Sequence, residues 1–147
     1  VRQAALPEAI DVLVLELGAR RRGDMRELLS IVVPDVAVVT PLADDEGGDL
    51  DALQELQEEA GELVAAMQVR GRPVLVCRDD PRLDATAATA TFGVGDVGAG
   101  TLALDGTKWP LGRELVGDTA TRALAAAVRT ARLLGVDDDR IRRFLAG

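Results

Sequence analysis

Carboxylates carry most of the chemistry open to this sequence. Asp79 and Asp80 stand side by side in front of Pro81. Glu16 closes the apolar run Val12–Leu15, and the end of a buried strand is where an open parallel sheet keeps its chemistry. Asp44, Asp45, Glu46, Asp49 and Asp51 crowd a stretch that also holds Gly47 and Gly48. Asp-Pro pairs often make turns, so the plain reading of Asp79-Asp80-Pro81 is a capped turn. The acidic stretch would suit a cation, but it does not fit an EF-hand loop, whose sixth position would be Asp49 instead of Gly. A solvated loop leading into a helix N-terminus accounts for it, since acidic residues are favourable there. Arg20, Arg21 and Arg22 offer phosphate contacts or simply an exposed loop. Cys77 is the only thiol, and its apolar surroundings in sequence imply burial, not reactivity. Trp109, the only Trp, is either an anchor for a protein partner or a cover for a small sheet.

Absent residue types narrow the function further. The chain has no His and no Tyr, and its one Lys is Lys108. That excludes a histidine general base, a histidine metal site and a Ser-His-Asp triad within this chain. No G-x-x-x-x-G-K-[ST] phosphate loop occurs. A net charge of −8 argues against nucleic acid and anionic membranes as partners. No apolar run nears the roughly 20 residues that span a bilayer, and the first residues do not read as a signal peptide. A lone cysteine excludes an internal disulfide framework, so a reducing cytoplasm is the expected location.

Positioning these groups requires a scaffold, and 147 residues suffice for one domain, 1–147. With 2% aromatic residues, its core must come from Ala, Leu and Val. Continuous apolar runs at Val12–Leu15, Val36–Val39 and Pro73–Cys77 predict three parallel strands buried on both faces. Between them, Asp24 caps a predicted helix with Met25, Leu28, Leu29 and Val32 inward. Asp49 caps a second, to about Met67, with Leu50, Leu53, Leu56, Leu63, Val64 and Met67 inward. Strand–helix–strand–helix–strand implies a parallel sheet. Short runs at Thr89–Gly93, Gly100–Leu104 and Lys108–Leu111 predict a small antiparallel extension. Two C-terminal helices follow. The first, from Asp118 or Thr119, has Leu124, Val128, Ala131 and Leu134 inward; the second contains Ile141, Phe144 and Leu145. The expected fold class is α/β, a three-layer domain.

Several of these segments, in order, resemble the central domain of the Mur ligases, the ATP-dependent amide ligases of peptidoglycan synthesis. They are Glu16-Leu17-Gly18-Ala19, Gly23-Asp24-Met25 and Pro34 through Thr40. Arg78-Asp79-Asp80-Pro81 is similar to the family's Asn-x-Asp-Asp-Pro, and Thr91-Phe92-Gly93 to its Thr-Phe-Gly. Ala123 through Val136 is similar to its late Asn-Ala-Leu-Ala-Ala…Leu-Gly-Val helix. The pattern is most similar to the branch that adds D-alanyl-D-alanine, and it runs from about Asp11 to the end. The resemblance implies Glu16 as a magnesium ligand and Asp79 and Asp80 as the nucleotide-side loop.

The chain departs from that pattern at linked places. After Thr40 the family carries a His that helps hold magnesium; here the loop reads Pro41-Leu42-Ala43-Asp44-Asp45. The family's Ala-Lys-Gly-Glu, whose lysine becomes carbamylated, is Glu59-Ala60-Gly61-Glu62 here, with Ala60 in place of the lysine. Cys77 and Arg122 stand where the family has Asn. The phosphate-loop unit would precede Val1 and the ligase domain would follow Gly147. The expectation is therefore a degenerate, non-catalytic domain with no cofactor, which binds a protein partner or serves as a scaffold in cell-wall metabolism. A protein partner or a homodimer is expected over the surface that the missing N-terminal unit would cover. The alternatives are a fragment of an active ATP- and magnesium-dependent amide ligase, and a small-molecule binding domain without chemistry.

Overall fold

Val74-Leu75-Val76-Cys77 is apolar at every position, and such a strand is stable only with both faces covered. The computed structural model, which describes residues 10–42, 50–112 and 117–147, covers both. A parallel three-stranded sheet runs in the order β1 (Ala37–Val39), β2 (Val74–Cys77), β3 (Ala90–Phe92). Ala37 pairs with Val74, and Cys77 with Phe92. Successive side chains on a strand point to opposite faces. Val74 and Val76 therefore join Ala37, Val39, Met25, Leu63 and Met67 in one core cluster. Leu75 and Cys77 join Phe92, Trp109, Ala125, Val128 and Ile141 in the other. The first cluster lies beneath α1 (Asp24–Ile31) and α2 (Leu50–Val69). The second lies beneath α3 (Asp118–Leu133), α4 (Asp138–Leu145) and an antiparallel sheet of β4 (Val97–Gly98), β5 (Thr101–Leu104) and β6 (Thr107–Pro110). The fold is thus a three-layer α/β domain with a small antiparallel extension, as the sequence implies.

In the antiparallel sheet, Leu102 pairs with Trp109 and both are fully buried. The turn from β5 to β6 places Asp105 at φ 49° and Gly106 at φ 79°, the left-handed pair that a two-residue hairpin requires.

Three expectations need correction. Val12–Leu15 forms no strand: the segment is outside the sheet, its side chains are exposed, and Val14 reaches 88%. A strand needs a neighbour to take its N–H and C=O groups, and no described residue pairs with it. The third parallel strand is instead Ala90–Phe92, expected in the antiparallel extension; the short turn Ala85–Ala87 in the β2–β3 connection replaces a crossover helix. Of the two readings of Trp109, the cover for the small sheet holds: it is fully buried opposite Leu102. Leu134, expected inward, is exposed just past the C-terminal end of α3. The cap expected from Asp49 and the acidic stretch 44–49 lie outside the described residues.

Candidate functional site at the sheet edge

The three parallel strands end on one edge, the place where open α/β sheets receive ligands. Here Thr40-Pro41-Leu42 leaves β1, Arg78-Asp79-Asp80 leaves β2, and Gly93 through Asp96 leaves β3. Each described carboxylate on this edge, Asp79, Asp80 and Asp96, is engaged by the chain itself.

Asp80 is 5% exposed. It accepts hydrogen bonds from Leu42 N at 2.8 Å and from Arg82 N, Nε and Nη2 at 3.0, 2.8 and 2.9 Å. Arg82 Nη2 also donates to the Leu42 carbonyl at 2.7 Å, so one ion pair ties the ends of β1 and β2 together. The Arg82 contact, joined by the backbone donors, pulls the Asp80 carboxyl down to about 2 against the cost of burial.

Asp79 reaches the other way. It accepts from Val94 N at 2.7 Å and from Arg122 Nε of α3 at 2.9 Å. Burial raises its pKa, but the Val94 and Arg122 hydrogen bonds outweigh that and hold it below the ordinary value. Gly93 makes the approach possible: a Cβ there would collide with Asp79 Oδ1. The third pair is bidentate, with Arg78 Nη1 and Nη2 on the carboxylate of Asp96 at 3.1 and 2.7 Å. Asp96 Oδ2 also accepts from Gly93 N at 2.9 Å.

The structure brings Asp79 and Asp80 to this edge, while Glu16 is not part of the sheet. Glu16 is exposed, lies outside any strand, and makes no hydrogen bond or ion pair with a described residue. These donors do not fit magnesium, which needs several oxygen ligands in near-octahedral array. Asp80 spends its lone pairs on four N–H donors, and Asp79 faces a guanidinium. Among the described residues, no three His, Cys, Asp or Glu side chains are grouped to hold a metal. Cys77 is fully buried, and desolvation raises its pKa. Ala60 packs against the core beneath α1 and α2.

Sequence reasoning missed the arginine partners and one more carboxylate. Glu59, 2% exposed, accepts from Gly23 N at 2.7 Å and Met25 N at 2.6 Å, and so caps the N-terminus of α1 from the middle of α2. Its spacing to Leu63 and Met67, four residues at a time, was the available signal. Asp24, expected as that cap, instead closes the preceding loop by accepting from Arg20 N and Arg21 N at 2.8 and 2.9 Å.

Among the described residues no helix is long and apolar enough to cross a membrane. The family model of the Mur ligase middle domain matches residues 2–114, which leaves α3 and α4 beyond the matched stretch. No curated protein and no solved structure matches the chain.

Proposed function

Because the chain belongs to the Mur ligase middle domain family, we propose that it is a non-catalytic member, nearest the D-alanyl-D-alanine-adding branch, that works as a protein-interaction or scaffold module. Cell-wall metabolism in the cytoplasm is its setting. One observation carries this reading: the ligand edge of the sheet is filled by the chain's own ion pairs, Asp79–Arg122, Asp80–Arg82 and Arg78–Asp96. A phosphate group arriving there would meet arginines whose charge is already paired with aspartates. A metal would have to strip N–H donors from each aspartate. Arg122 supports the reading most directly, since it stands at the family's Asn position and spends its guanidinium on Asp79.

The competing reading, part of an ATP-dependent amide ligase, is favoured by the family match itself. Titration calorimetry separates the two. Each lost charged contact costs on the order of 1.5–3 kcal/mol, and several together put affinity weaker than ~1 mM. The expected result is no saturable heat with magnesium-ATP and no hydrolysis. A dissociation constant tighter than about 100 µM, roughly 5.5 kcal/mol of binding, overturns the proposal.

A further inference from the structure

Asp105-Gly106 is the only Asp-Gly pair in the chain, and the chain has no Asn. Leu104 pairs with Thr107, so these two residues are the whole turn between β5 and β6. Both have left-handed backbone, and among the described residues only Ala99 joins Asp105 as a non-glycine residue with positive φ. The Asp105 side chain is 57% exposed. Gly106 carries no Cβ to shield its nitrogen, so a five-membered ring with the preceding side chain meets no steric obstacle from it. The Asp105 carboxylate is nevertheless clamped. Arg129 Nη1 donates to its two oxygens at 2.9 and 2.8 Å, and Arg132 Nη1 donates to Oδ2 at 3.4 Å. The Arg129 side chain is itself buried against the domain, and the Arg132 guanidinium lies 5.4 Å from the centre of the Trp109 ring. The clamp is thus built on α3 and packed on the small sheet.

We propose that Asp105-Gly106 is a modification site of this chain: it closes spontaneously to a succinimide and reopens as isoaspartate, at a rate that the Arg129–Arg132 clamp restrains. In the first step the Gly106 nitrogen gives its proton to solvent and attacks Asp105 Cγ. A C–N bond forms, a C–O bond breaks, and one water leaves. In the second step water adds to a ring carbonyl. Opening at Cγ restores aspartate; opening at the main-chain carbonyl leaves the chain running through Cβ and Cγ. Water is the only reagent, and nothing is oxidised or reduced. The clamp opposes the first step because ring closure must turn Cγ onto the Gly106 nitrogen, while Arg129 holds both carboxylate oxygens toward α3. Isoaspartate adds one backbone atom to the turn, and a two-residue hairpin with a left-handed pair has no room for it. The Leu102–Trp109 pairing should loosen, and with it the cover of the second core cluster.

Ageing the whole chain in neutral buffer at body temperature tests this. Isoaspartate is counted by labelling with an isoaspartyl methyltransferase and located by electron-transfer fragmentation of the peptide that holds Asp105. The expected result is more label at Asp105 than at any other aspartate, accumulating slowly in the folded protein and severalfold faster in urea. Arg129→Gln removes the main donor of the clamp and should age severalfold faster than the parent while the near-ultraviolet circular dichroism of Trp109 still reports a folded protein. If Arg129→Gln unfolds, Arg132→Gln takes its place in the comparison and should also age faster than the parent. A folded clamp variant that ages no faster than the parent overturns the proposal. So does a parent that ages as fast folded as in urea, or one whose label lies chiefly at another aspartate.

Discussion

Glu59 is the residue on which the α1–α2 pairing turns. Its carboxylate satisfies two N–H groups at the start of α1, a helix of only eight residues that has no side-chain cap of its own. A helix that short is not stable alone and depends on its tertiary contacts. Glu59→Ala should destabilise the protein by about 3 kcal/mol, because it leaves buried donors unpaired as well as removing a charge-assisted contact. Glu59→Gln keeps one acceptor oxygen and should cost less. Urea unfolding at pH 7 checks both, and a Glu59→Ala variant of unchanged midpoint would refute the capping role. Gly93 is a second such residue. Gly93→Ala should push Asp79 aside and break its contact with Arg122, since the new Cβ and Oδ1 cannot share the space. A structure of that variant retaining the Asp79–Arg122 pair would disprove this.

At the scale of elements, sequence pattern was legible wherever burial is two-sided or periodic. The all-apolar Pro73–Cys77 run announced a buried strand, and the spacing of Leu53, Leu56, Leu63 and Met67 announced α2. Two things escaped it. A run such as Val12–Leu15 satisfies every local rule for a buried strand, yet strand formation needs a pairing edge, and pairing is not a local property. Ala90-Thr91-Phe92 is too short and too polar to declare its parallel partner. Its place is set by β2, whose free side must be covered for Leu75 and Cys77 to stay dry. The site was half legible for the same reason. Asp79-Asp80 was visible as a motif. Arg122 lies 43 positions away on α3 and reaches Asp79 only because that helix crosses the sheet's second face. Arg82 is two residues from Asp80, but nothing in the spacing said that its guanidinium would turn back instead of outward.

Taken whole, the molecule joins two core clusters through one thin sheet, and the ion pairs at the sheet edge fasten the loops that leave it. This arrangement sets how stability responds to pH. The chain has no His, so no side chain of ordinary pKa titrates between about pH 5.5 and 7.5, and the unfolding midpoint should be flat there. The acid side differs. Asp80 has a folded pKa of about 2 against an unfolded value of 3.8, and Asp79 is also lowered. A carboxyl whose folded pKa is depressed contributes stability that is fully present above its unfolded pKa and is lost as pH falls through the folded one. Stability should therefore begin to decline near pH 4 and go on falling toward pH 2, with Asp80 accounting for about 2 kcal/mol of the loss. Asp80→Asn removes the charge but keeps an acceptor oxygen. It should lower stability at pH 7 by a comparable amount and flatten the curve below pH 4, because the variant has already lost what acid takes from the parent. Urea midpoints of both proteins from pH 2.5 to 7.5 decide the matter. Parallel acid limbs would mean that the Asp80–Arg82 pair does not hold the ends of β1 and β2 together.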